Sequence, residues 1–169
     1  MGKPGPIPDS YWLIDGMLLA GEYPATYLDD ATREKLAKFL DAGIRTFIDL
    51  TEQHEPLAKY DRLLRELSDD RKIETRHIRS SVRDGCIPHE RGHMERILGT
   101  IREEMDAGRP VYVHCWGGIG RTGNGDRVLA GGAGARRRRG DRTDRQAANA
   151  HARRACAVTR ERGAAAIHL

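Results

Sequence analysis

No stretch of this 169-residue chain stays apolar over the ~18 positions that a bilayer-spanning helix needs, so no membrane span is expected. The opening residues, Met1-Gly2-Lys3-Pro4-Gly5-Pro6, lack the apolar centre of a signal peptide. Pro6 also stands where a myristoylation motif needs Ser or Thr. Cysteine is scarce: Cys86, Cys115 and Cys156 are odd in number and widely spaced. That pattern reads as free thiols in a reducing compartment, without the paired spacing of a zinc site. A cytoplasmic protein is expected.

Lysine is missing from the last 46 residues, which hold 11 Arg and 4 acidic residues, a balance of +7. Residues 1–123 carry 18 Lys plus Arg against 21 acidic residues, a balance of −3, and the two sum to the overall +4. The basic character therefore belongs to the tail and says little about what precedes it. The length suffices for one domain with a substantial core.

Along the chain, Tyr11–Ile14 and Met17–Gly21 flank Asp15-Gly16, a pairing that suits a tight hairpin turn. Asp29 or Asp30 can cap a helix with Leu36, Phe39 and Leu40 on its apolar face, and Gly43 can stop it. Residues 44–50 read as a buried strand. Pro56 to about Leu67 reads as a second helix with a stripe of Leu57, Tyr60, Leu63, Leu64 and Leu67. Residues 73–78 alternate as a strand, 79–88 read as a loop, and a helix follows from about His89 to Met105. Strand and helix alternate, which predicts an α/β fold of three layers: a mostly parallel central sheet flanked by helices. Ligands of such sheets bind beyond the carboxyl ends of the strands.

The densest signal lies at the end of the last strand. Val111-Tyr112-Val113 runs into His114-Cys115, then Trp116-Gly117-Gly118-Ile119-Gly120, and finally Arg121-Thr122-Gly123. Cysteine and arginine bracket five residues rich in glycine, a spacing suited to wrapping a tetrahedral oxyanion. Glycines let successive backbone N–H groups turn inward without a Cβ in the way. A helix starting near Arg121 would add its unsatisfied first-turn donors and its dipole. The guanidinium of Arg121 can grip two phosphate oxygens at once. The same positive surroundings favour the thiolate of Cys115 as a nucleophile.

His-Cys-x-x-Gly-x-Gly-Arg-Thr-Gly after an apolar strand resembles the signature loop of the cysteine-dependent protein tyrosine and dual-specificity phosphatases, in their bacterial dual-specificity form. The resemblance covers about residues 8–123 and implies hydrolysis of phosphate monoesters through a phosphocysteine. It makes Cys115 the nucleophile. Arg121 and the N–H groups of Trp116, Gly117, Gly118, Ile119, Gly120 and Arg121 would bind phosphate. Thr122 would steady the departing thiolate, and His114 would order the loop. Asp84-Gly85-Cys86-Ile87-Pro88 is similar to the family's Asp-x-x-x-Pro acid loop, so Asp84 is the candidate general acid. A solvated aspartate is the alternative there, with Asp49 and Glu52 as other candidates for the acid, though helix capping explains those two nearly as well. Cys86 is either a redox partner of Cys115 or an incidental thiol. Arg79 and Arg83 either attract acidic substrates or are solvated surface charge.

The resemblance implies no cofactor and no metal. Relatives acting on inositol phospholipids often carry basic residues inside the loop. Their absence here leans toward a phosphorylated protein, bearing phosphotyrosine and also phosphoserine or phosphothreonine. Small phosphorylated substrates such as nucleotides or inositol phosphates stay open, as does a phosphate-binding module without turnover.

After Gly123 the family calls for an apolar helix. Residues 124–135 instead contain four glycines, each costing about 1 kcal/mol relative to Ala in a helix, and no apolar stripe. The domain is expected to end at residue 123, with 124–169 an Arg/Ala/Gly-rich, disordered tail. Translation out of frame explains the break. One set of codons for residues 124–136, read one base later, spells Thr-Val-Thr-Gly-Cys-Trp-Leu-Val-Glu-Gln-Gly-Leu. A merely solvated tail is one alternative, and nucleic-acid binding by its arginines is another, hinted at by nothing else.

Overall fold

The structure, a computed structural model, describes residues 4–82, 91–118 and 122. The expected tail of 124–169, together with Asp84, Cys86, Ile119, Gly120 and Arg121, lies outside the described residues. The elements run β1 (Ser10–Ile14), β2 (Leu18–Gly21), α1 (Asp29–Asp41), β3 (Thr46–Asp49), α2 (Asp61–Arg71), β4 (Arg76–Arg79), α3 (Arg91–Asp106) and β5 (Val111–His114). The sheet order is β1-β2-β5-β3-β4. Only β1 pairs antiparallel, through the hairpin read from Asp15-Gly16, where Gly16 takes a φ of 71°. The other three pairings are parallel, so the α/β expectation holds.

Side chains alternate across the sheet, and the alternation builds the layers. Leu19, Tyr112 and Phe47 face α1 and α2, packing with Leu36, Phe39, Leu40, Leu63 and Leu64. Leu18, Val111, Val113 and Ile48 face α3, packing with Ile97, Leu98 and Ile101. Each such buried side chain contributes roughly 1.5–3 kcal/mol relative to exposure. Tyr112 stacks on Phe39 with ring centroids 4.3 Å apart, fixing α1 over the middle of the sheet.

Two local expectations are corrected. The first helix begins at Asp29, but its capping position is Leu28, which makes no side-chain cap. Asp29 and Asp30 sit inside the first turn, where their charge complements the helix dipole. Support comes instead from Thr32, whose Oγ1 accepts the Thr26 N–H at 2.9 Å. The second helix starts at Asp61 rather than Pro56. Residues 56–60 run as connecting chain, because Tyr60 must drop from the rim into the core, where it is 1% exposed.

At the far end of the sheet, Glu104 of α3 ties three elements together. Its carboxylate accepts from Thr46 Oγ1 at 2.7 Å and from Arg109 at 2.6 and 3.0 Å. Arg76 adds a contact at 3.2 Å. These donors hold the Glu104 carboxyl at about 2: hydrogen bonding from Arg109 is the largest influence, and burial opposes it.

Candidate functional site

Parallel register gathers the site. The last residues of four adjacent strands, Gly21, His114, Asp49 and Arg79, are cross-strand partners in one row at the carboxyl edge. Side chains in one row of a parallel sheet share a face, so His114, Asp49 and Arg79 all project toward the α1/α2 layer. His77, two residues before Arg79, joins them there.

The row forms a buried polar network. Arg79 grips Asp49 Oδ2 with Nε at 3.1 Å and a terminal nitrogen at 2.9 Å. Thr51 gives Asp49 Oδ1 its backbone N–H at 2.8 Å and its hydroxyl at 2.6 Å. His77 Nε2 lies 3.5 Å from the same carboxylate. Burial alone would raise the Asp49 carboxyl, but donors from His77 and Thr51 and the neighbouring His114 outweigh it and hold it well below the usual range. Asp49 is 0% exposed and both its oxygens are engaged by Thr51 and Arg79, an arrangement that suits a structural carboxylate better than the proton donor the sequence allowed. Arg79 lies at the surface and is also the counter-ion of this buried carboxylate.

His114 is fully enclosed. Its Nε2 lies 2.6 Å from the Tyr60 hydroxyl, and its Nδ1 lies 4.0 Å from Asp49 Oδ1. Burial pushes the imidazole down to about 4, against the pull of Asp49, so it is neutral at neutral pH. Burial also raises Tyr60 well above its ordinary value, keeping the phenol protonated. The arrangement fits a Tyr60 O–H donating to Nε2 while Nδ1–H faces the Asp49 carboxylate. Tyr23 packs edge-on against His114 with centroids 5.2 Å apart. Sequence reading assigned no site role to Tyr60, Tyr23 or His77. Their only local signal was aromatic or imidazole character beside a strand end.

Cys115 follows at the end of β5, 3% exposed, and is the one cysteine among the described residues. The chain then turns outward. The Trp116 carbonyl accepts the Tyr23 N–H at 2.9 Å, which binds the emerging loop to the end of β2. Gly118 takes a φ of +69°, a conformation that favours glycine. Its Cα packs on the backbone of Gly21 and Glu22, with no room for a side chain. Thr122 is buried, and its hydroxyl has no hydrogen-bond partner among the described residues. Of the residues expected to bind phosphate, Trp116, Gly117 and Gly118 are thus placed at the carboxyl end of the central strand. Asp84, Ile119, Gly120 and Arg121 lie outside the described residues.

A mostly parallel sheet whose central strand leads into a buried cysteine and a glycine-rich turn has the fold of a cysteine-based phosphatase. Over residues 23–130 the chain matches the family described as polymorphic toxin system, DSP-PTPase phosphatase, and it belongs to that family of phosphoric monoester hydrolases. The match runs past residue 123, where the sequence resemblance was expected to stop. A comparison with curated proteins finds no match.

Solved structures show the same fold. Tk-PTP in its active form is 21% identical, covering 87% of this chain and 84% of its own at a TM-score of 0.56. TpbA of P. aeruginosa is 14% identical, covering 85% of this chain and 83% of its own at a TM-score of 0.59. A Cys-to-Ser form of TpbA in complex with pTyr, also 14% identical, covers 70% of this chain and 59% of its own at 0.51. Among the described residues, no helix is long and apolar enough to cross a membrane.

Proposed function

We propose that this chain hydrolyses phosphate monoesters on phosphotyrosine-bearing proteins, with phosphoserine and phosphothreonine as further substrates, through a phosphocysteine at Cys115. The observation that carries the reading is the position of Cys115: it ends the central parallel strand, directly after neutral, enclosed His114 and before a loop whose Gly118 must be glycine. The solved complex of TpbA with pTyr supports the choice of substrate. Three widely spaced cysteines support a reducing, cytoplasmic setting.

In the first step the Cys115 thiolate attacks phosphorus, the bond to the ester oxygen breaks, and Asp84 gives that oxygen its proton. Arg121 and the backbone N–H groups of Trp116 to Arg121 hold the three equatorial oxygens, where charge builds in the transition state. Water then attacks phosphorus, Asp84 takes its proton, and the phosphorus–sulfur bond breaks. The Thr122 hydroxyl, buried and without a partner among the described residues, donates to the departing sulfur. His114 keeps its place through the Tyr60 hydroxyl and the edge-on Tyr23 ring, so the nucleophile next to it is aimed by groups that need not move.

The test is hydrolysis of a generic aryl phosphate in EDTA by this chain and by its Cys115→Ser variant. The expected result is turnover in the parent and only background in the variant. Equal turnover by folded variant and parent would reject Cys115 as nucleophile.

A further inference from the structure

Three large apolar side chains stand exposed among the described residues: Tyr27 at 82%, Leu28 at 70% and Trp116 at 49%. All three lie on loops that leave the carboxyl edge of the sheet. Tyr27 and Leu28 follow β2, and Trp116 follows β5. The Tyr23 N–H bonded to the Trp116 carbonyl ties these two loops together. A third joins them, since the Tyr27 hydroxyl donates to the Pro56 carbonyl at 2.9 Å on the loop after β3.

The exposure comes with order rather than slack. Thr26 and Thr32 bond each other in both directions, with Thr26 N–H to Thr32 Oγ1 at 2.9 Å and Thr32 Oγ1 to the Thr26 carbonyl at 3.1 Å. Leu28 is locally unfavourable on two counts. It is apolar and in water, and it occupies a helix-capping position where Ser, Thr, Asp or Asn would hold a first-turn N–H. Apolar side chains kept at one rim against local preference mark a contact surface.

Charge narrows the occupant. Trp116, Gly117 and Gly118 carry no cation, the loop after β3 sets Glu52 and Glu55 against Lys59, and Arg79 at the same edge is already paired with Asp49. Such a rim disfavours a ligand with several phosphates and suits a single phosphate on an aromatic side chain. Trp116 directly follows Cys115, so an exposed indole stands on the residue beside the one that would hold the ester.

We propose that Trp116, with Tyr27 and Leu28, forms the wall against which a protein segment lays its phosphotyrosine ring and neighbouring apolar side chains. Trp116 is thereby a specificity-determining residue, selecting an aryl phosphate over an alkyl one. This rests on the phosphatase reading above.

The experiment compares two peptides of one sequence with apolar flanks, bearing phosphotyrosine or phosphoserine, as substrates of the full chain. Trp116→Ala and Leu28→Asn are measured beside it. The parent should favour phosphotyrosine, and Trp116→Ala should lower that ratio of kcat/KM about threefold to tenfold, the range for lost aromatic contacts. Leu28→Asn should lower it about twofold while its Tm stays level or rises, because Asn is the better cap. A ratio unchanged in both variants would overturn the proposal, as would preference for inositol hexakisphosphate over either peptide. If the parent hydrolyses neither peptide, the phosphatase reading fails on its own. The same ratio, read as Kd by calorimetry, then decides: phosphotyrosine preference lost in Trp116→Ala upholds the wall, and equal affinities in parent and variant overturn it.

Discussion

Replacing Gly118 by Ala should damage the loop that follows Cys115 in a way that replacing its neighbour Gly117 does not. At Gly118 an added Cβ would lie 2.5 Å from the Gly21 carbonyl carbon, 2.7 Å from Glu22 N and 2.8 Å from Gly21 O. These are backbone atoms at the end of β2 and of the residue after it, whose N–H is held by the Asp9 carbonyl at 3.1 Å, so they cannot step aside as a flexible side chain would. The φ of +69° adds a second cost, about 1–2 kcal/mol for an L-residue in the left-handed region. Forced overpacking contributes about 1–3 kcal/mol more. The sum is about 2–5 kcal/mol, which at roughly 2–4 °C per kcal/mol for a chain of this size is a visible fall in Tm. At Gly117 a Cβ meets nothing within 4 Å, so Gly117→Ala should change Tm little. The assay is thermal unfolding of both variants and the parent, with and without vanadate as a phosphate mimic. Gly118→Ala should melt earlier and lose most of the stabilisation vanadate gives the parent. If the two variants melted together and responded alike to vanadate, the close packing of this loop on β2 would be refuted.

Glu104→Ala should destabilise the fold by about 1–3 kcal/mol in urea unfolding, since it strips the Thr46 hydroxyl, Arg109 and Arg76 of a shared acceptor; a midpoint equal to the parent's would remove that carboxylate from the stabilising contacts. Acidification should weaken the protein in two overlapping stages. His114 is lowered from 6.5 to about 4 in the folded chain, so between these values only the unfolded chain takes the proton, and stability falls as pH drops from 6.5 to 4. The span corresponds to about 3 kcal/mol. Glu104 is lowered from 4.5 to about 2, so its contribution is whole above 4.5 and is lost as pH falls toward 2. Urea midpoints measured from pH 7 to 3 check the sign, and a flat profile between 6.5 and 4.5 would mean that His114 is not held neutral and buried.

Much of the fold was legible because its signals are local. The apolar run of Val111–Val113, the Asp15-Gly16 turn and the helical stripe of Leu36, Phe39 and Leu40 each lie within a few residues. The family was legible for the same reason: the signature from His114 to Gly123 is written as a spacing. The start of α2 was misjudged because Leu57 and Tyr60 fit the helical period of Leu63, Leu64 and Leu67. Tyr60 instead closes a bond to His114 across 54 residues, and a periodicity cannot report such a contact. The pairing of Arg79 with Asp49 was not legible for a related reason. In sequence, an arginine before a loop reads as substrate-attracting or solvated, and an aspartate at a strand end as an acid or a cap. Their ion pair exists only because β3 and β4 are neighbours in register.

What the sequence determined by itself was the order of elements and the family, since turn propensity, alternation and residue spacing act over short range. What tertiary structure decided was the company those residues keep. Parallel pairing of β2, β5, β3 and β4 set Gly21, His114, Asp49 and Arg79 in one row. Burial then lowered His114 and, through the donors it brought together, kept Asp49 charged. Which polar groups are enclosed together depends on strand order, and strand order is settled by packing both faces of the sheet at once.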